Sequence, residues 1–149
     1  MRPLYLAHIP EAEATIRATG SRLTQPRVAV LAALKAADHA VSHLDVAHAL
    51  AKHHPIDRVT VYRVLEWLMT MGIAHRVADD DRVWRFMLTT GTTTRKADAH
   101  HQHAHFTCND CGQIFCLNEV SPKLPVKVPA GFKTIDFDLK LRGRCAQCA

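Results

Sequence analysis

Five cysteines and eleven histidines stand in this chain of 149 residues, and four of the cysteines share one spacing. Cys108-Asn-Asp-Cys111 and Cys145-Ala-Gln-Cys148 are C-x-x-C pairs lying far apart in the chain. Each pair presents two sulfurs from one short turn, and two pairs fill the four positions of a tetrahedral ion. Four thiolates suit zinc. Such a closed site is structural, because no coordination position remains for water or substrate. A redox dithiol would need only one pair, and no βαβ pattern surrounds either one.

The histidines concentrate next to the first pair, in His100-His101-Gln102-His103-Ala104-His105. In an extended strand His101, His103 and His105 project to one face, a multidentate arrangement for a borderline metal. The alternative is a solvated polar edge. The fifth cysteine, Cys116, lies on the stretch that returns beside this run. It either completes a His/Cys site or packs as a small hydrophobe between Phe115 and Leu117. His75, just past a helix, reads as a surface imidazole or a further ligand. These residues predict a second metal site beside the four-cysteine one.

The elements that must carry these groups fall into two textures. Thr24 can cap a helix with Pro26 in its first turn, and Val28, Leu31 and Leu34 recur at helical spacing. Ser42-x-x-Asp45 starts a second helix with a capping-box pattern, followed by Leu44, Ala47, Leu50 and Ala51. Asp57 caps a third, bearing Val61, Val64, Leu65 and Leu68, and Gly72 suits its left-handed end. An earlier amphipathic piece covers 12–19 and ends at Gly20. The period then changes to two over 73–77 and 83–88, a β-hairpin around Asp79-Asp80-Asp81. Three helices and a hairpin are the order of a winged helix-turn-helix, whose third helix enters a DNA major groove. A three-helix bundle with an accessory hairpin is the plainer alternative. Residues 89–99 read as a linker. Beyond it, Ile114–Leu117 and the alternation of Ile135, Phe137, Leu139 and Leu141 predict strands, and Pro122, Pro125 and Pro129 leave little room for a helix between them.

Composition narrows the function classes. The formal charge is +5; over residues 16–63, Arg17, Arg22, Arg27, Lys35, Lys52, Arg58 and Arg63 face only Asp38, Asp45 and Asp57. That excess permits nucleic-acid binding without requiring it. No apolar run spans a bilayer, and Leu4-Tyr5-Leu6-Ala7 is too short for a secretion signal, so a cytoplasmic protein is expected. No His-x-Glu motif supports a zinc deaminase, and Glu119 stands too far from the histidines to act as their general base.

Taken in order, Thr24-x-x-Arg27, Thr60-Val61-Tyr62-Arg63-x-Leu65, Gly72-Ile73, the His-rich run into Cys108-x-x-Cys111-Gly112 and the final C-x-x-C resemble the ferric uptake regulator family. The resemblance runs from about Gly20 to Cys148 and looks most like the zinc-sensing branch, the zinc uptake regulators. It implies an α+β dimeric repressor with a winged-helix DNA-binding domain over 1–88, a hinge over 89–99 and a β-rich zinc-binding dimerisation domain over 100–149. By this resemblance Cys108, Cys111, Cys145 and Cys148 hold the structural zinc. His75, His101, His103 and Cys116 are expected to hold a regulatory zinc, which makes two zinc ions per chain. His75, His101 and the position of Cys116 match hinge ligands of one zinc-sensing pattern. That pattern has a cysteine at the end of the wing strand, where Phe86 and Met87 stand here, and a glutamate in place of Cys116. The fourth ligand is left open among His103, His105 and Asp80. A third site known in relatives would need ligands at Gln102, Ala104 and Phe137, and is expected to be absent. Arg22, Arg27, Thr60, Tyr62 and Arg63 are expected at the DNA, Tyr62 towards bases through apolar contact, Arg63 towards guanine, and Arg22 and Arg27 towards the backbone or minor groove. The implied protein is no enzyme, has no small organic substrate or membrane, and binds inverted-repeat operator DNA when zinc fills the hinge. The rival readings are an iron- or peroxide-sensing repressor of the same family and a zinc storage or chaperone module that ignores DNA.

Overall fold

Side-chain caps set the frame of the helical half. A computed structural model describes residues 4–78, 80–89, 104–117, 127–135 and 138–149, and the chain divides into two units, Met1–Thr89 and Thr90–Ala149. In the first, helix α1 (Ile9–Ala18) is followed by α2 (Gln25–Ala36). The Thr24 hydroxyl accepts from the Arg27 amide to start α2 (3.4 Å). A reciprocal capping box starts α3 (His43–Leu50): the Asp45 amide donates to Ser42 Oγ (3.2 Å), and the Ser42 amide donates to Asp45 Oδ2 (2.8 Å). Asp57 starts α4 (Arg58–Thr70), accepting from the Thr60 amide at 2.9 Å and its hydroxyl at 2.6 Å. Each cap satisfies amides that have no partner within the helix. Past α4, Gly72 adopts φ +72°, a left-handed turn that suits glycine and ends the helix.

The chain then forms the wing. β2 (Ala74–Ala78) pairs antiparallel with β3 (Trp84–Leu88), and a two-residue strand, β1 (Val41–Ser42), adds to the other side of β3. The core lies where α2 meets α1, α3, α4 and β3. From Val28 to Leu34 every residue of α2 is buried, and Ala29, Ala32 and Ala33 let neighbouring elements approach closely. Ile16, Leu50, Val61, Leu65, Leu68 and Phe86 are fully buried around them. Two features are absent from the sequence reading. One is β1. The other is a 3-10 turn over Leu4–His8, whose Tyr5 is buried with its hydroxyl 3.0 Å from His54 Nδ1.

The second unit holds a three-stranded sheet in the order β5-β4-β6: β4 (Ala104–Cys108) at its centre, β5 (Ile114–Leu117) antiparallel to it and β6 (Leu139–Gly143) parallel. This corrects the strand expected from Ile135 onward. Ile135 is 94% exposed, and pairing begins at Leu139, opposite Ala104. The physical reason is register. Cys108 sits opposite Gly143, which delivers the second cysteine pair to the first, and this outweighs the alternating pattern upstream. Gly143 also makes room for a neighbour, since a β-carbon there would lie 3.1 Å from Phe106 Cζ. The expected linker at 90–99 and the proline-rich stretch at 122–126 lie outside the described residues. Among the described residues no helix is long and apolar enough to cross a membrane.

Candidate metal centre and nucleic-acid surface

The two C-x-x-C turns meet at one end of the β4–β6 pair. In the first, the Gly112 amide donates to the Cys108 carbonyl (2.9 Å) and Gly112 takes φ +70°. In the second, the Cys148 and Ala149 amides donate to the Cys145 carbonyl (3.0 and 2.9 Å). The Asn109 amide joins them by donating to the Gly143 carbonyl (2.7 Å), and Arg144 pairs with Asp110 (Nε to Oδ2, 3.0 Å). The sulfurs of Cys108, Cys111, Cys145 and Cys148 all lie within 4.8 Å of one another, with Cys111 and Cys145 3.8 Å apart. A tetrahedral zinc with bonds of about 2.3 Å spaces its sulfurs about 3.8 Å apart, so the four residues fit the ion.

The electrostatics agree. Backbone amides of Cys111 and Cys145 lower the Cys108 thiol to about 6, the Cys145 amide reaching its sulfur at 3.3 Å. Hydrogen bonding with the Cys145 and Cys111 thiols pushes Cys148 up to about 12. One thiolate is thus favoured, while the thiols of Cys111 and Cys148 are pushed up. Four thiolates together need a cation among them.

The second group of expected ligands is distributed over both units. His75 lies on β2, half-buried, opposite Met87 of β3. His101 and His103 lie outside the described residues, as do Gln102 and Phe137. Ala104 is buried. His105 and Cys116 are direct cross-strand partners in the β4–β5 pair, so an imidazole and a thiol project side by side from one face. Burial pushes the Cys116 thiol up to about 11. His105 Nδ1 lies 3.8 Å from Asp138 Oδ1, a carboxylate of the kind that orients a ligating imidazole. Nothing in the sequence signals Asp138, which is distant in the chain and falls within the misplaced strand. Asp80 is exposed at the wing turn.

The expected DNA contacts separate by role. Arg22 is exposed. Arg27 donates to the Arg22 carbonyl (2.7 Å) and stacks over Trp67, 4.0 Å from the ring centroid, so it braces the segment that carries Arg22. Thr60 is occupied in the Asp57 cap. The Tyr62 ring is half-buried, edge-on to His43 and Phe86 at 5.9 and 6.3 Å. Arg63 is exposed, as are Arg58 and Val59, two residues the sequence reading did not single out on this helix surface.

Comparison with known proteins agrees with this geometry. The sequence profile of the ferric uptake regulator family matches residues 18–142. Transcriptional regulator FurA of Mycobacterium tuberculosis is 28% identical over 147 residues, spanning 97% of this chain and 94% of that protein. The zinc uptake regulation protein of Escherichia coli is 27% identical over 146 residues, 94% and 80% of the two chains. A solved zinc uptake regulator complexed with zinc and DNA shares the fold, with a TM-score of 0.62 over 99% of this chain and 96% of that one at 22% identity. The chain belongs to the ferric uptake regulator family and is a metal-responsive transcriptional regulator, not an enzyme.

Proposed function

We propose that this regulator is a zinc-responsive repressor that binds inverted-repeat operator DNA as a homodimer. The observation that carries the reading is the His105–Cys116 pair across β4 and β5. Nitrogen and sulfur donors side by side favour zinc, whereas sites built of carboxylate and imidazole lean towards iron or manganese. The regulatory set is His75, His101, His103 and Cys116, and the β4–β5 register supports His105 among the alternatives for the fourth position. Cys108, Cys111, Cys145 and Cys148 hold the structural zinc. Ligands drawn from both units let zinc favour the arrangement that suits the operator. Zinc and DNA then strengthen each other's binding by the same factor.

At the DNA, Arg63 reads bases from α4 with Tyr62 packed beside it, Arg22 contacts phosphate, and Arg27 and Thr60 hold their elements in place. Exposed Val128, Phe132, Ile135 and Leu141 in the second unit are apolar side chains that a second copy would cover.

The test is operator affinity measured across buffered free-zinc concentrations, repeated with ferrous iron and manganese and with Cys116→Ser. Zinc-dependent binding that Cys116→Ser weakens supports the reading. Binding by the intact protein that ignores zinc overturns it, and a response to iron alone favours the iron-sensing alternative. Zinc content before and after mild chelation adds a second check: two ions per chain, one labile and one resistant, are expected.

A further inference from the structure

We propose that Val59 reads the 5-methyl group of a thymine, so that the apolar base contact of the recognition helix comes from the start of α4. The inference rests on the DNA-binding reading above. The orientation of α4 is fixed by its buried face, Val61, Val64, Leu65 and Leu68. What remains outward is Arg58, Val59, Arg63, Glu66 and Thr70. Of the hydrophobic side chains on this helix, Val59 alone is exposed, at 60%.

Its surroundings select the occupant. Arg58 precedes it and Arg63 lies one turn on, on the same strip. This end of α4 therefore presents two guanidinium groups around one apolar group, and the nearby carboxylate of Asp57 is engaged in the cap. Glu66, a turn further along, makes the second half of the strip less suited to a polyanion. A duplex offers what this half-helix lacks: phosphates for the arginines and, in the major groove, one apolar group on the base edges, the thymine methyl. Tyr62 is less free to supply that contact, because its ring is already packed edge-on against His43 and Phe86.

The experiment uses the full-length, zinc-loaded protein. A preferred duplex is selected from a random pool, and each thymine is replaced in turn by deoxyuridine, which removes only the methyl. One position in each half-site should cost the intact protein about fourfold in affinity, the worth of one buried methyl group. Val59→Ala should bind the thymine duplex more weakly and lose its sensitivity to deoxyuridine at that position alone, keeping any response elsewhere. Val59→Ser, which leaves no methyl and presents a hydroxyl, should show the same selective loss. If both variants keep the full deoxyuridine response at every position, the assignment is overturned and Val59 is an exposed helix residue only. Failure of the intact protein to select any duplex overturns the DNA-binding reading together with this assignment.

Discussion

The two units solve the same problem by different means. The helical unit encloses its own core: Ile16, Leu31, Leu50, Leu65, Leu68 and Phe86 are shielded from water within one chain, and such burial contributes about 25 cal/mol per Å² of apolar area. Among the described residues of the second unit, the buried side chains reduce to Ala104, Thr107, Cys108, Ile114 and Cys145, two of which belong to the four-cysteine cluster. Large side chains such as Phe132 and Ile135 are exposed there. The lesson is a division of labour. In our reading, a head that folds on its own is attached to a unit whose order depends on a bound ion and on a second copy of itself.

The most severe way to break this contrast is to remove the ion. Cys145→Ser, or a strong chelator, should unfold the β4–β5–β6 sheet, since structural zinc contributes about 10–16 kcal/mol in small zinc modules. The helical unit should survive, and it contains both tryptophans, Trp67 and Trp84. Their fluorescence unfolding midpoint should barely move while amide protection in β4 collapses. Joint loss of both signals would refute independent stability.

The converse damage is smaller and confined to the other side. Phe86→Ala should cost about 3–5 kcal/mol and Leu65→Ala about 2–5 kcal/mol. Both should be visible as a shift of the tryptophan transition, while the zinc stays resistant to chelation. Smaller still is the cap. Asp57→Ala should cost about 1 kcal/mol and fray the first turn of α4, an effect that Asp57→Asn largely avoids. Loss of amide-exchange protection limited to that turn is the measurement.

The least effect comes from the wing. Hydrogen bonding from Arg85, with help from the Val83 amide, lowers the Asp81 carboxyl to about 2. Because the folded value lies below the ordinary 3.8, this contribution is complete above pH 4 and disappears as the pH falls through about 2. An NMR titration of Asp81 should show that low midpoint, and Arg85→Met should return it towards 3.8. A normal midpoint in the intact protein would show that the ion pair does not persist in solution.

Legibility in the sequence followed the range of the interactions. The caps at Thr24, Ser42 and Asp57 and the turn at Gly72 involve neighbours three or four residues apart, and the helices and hairpin they bound stand where expected. The cysteine pairs were legible for a chemical reason, since few roles other than metal binding use that spacing twice. What escaped were contacts between distant residues. Tyr5 meets His54, Arg27 covers Trp67, and β1 exists only because β3 reaches it. The misplaced strand has the same origin. Alternation of Ile135 to Leu141 is a local signal, whereas Cys108 pairs with Gly143 because of where Cys145 must arrive.

That split between Cys111 and Cys145 has a consequence during synthesis. At about 5–20 residues per second, a ribosome leaves the first pair waiting for seconds before the second is made. In that interval the chain holds only two of the four sulfurs that the folded cluster brings together. The amide that Cys145 later donates to Cys108 has not yet been made. The reading head, whose residues come earlier, can already be folded. Assembly of the four-sulfur cluster therefore waits on the second pair, and it follows the synthesis of every residue of the helical unit.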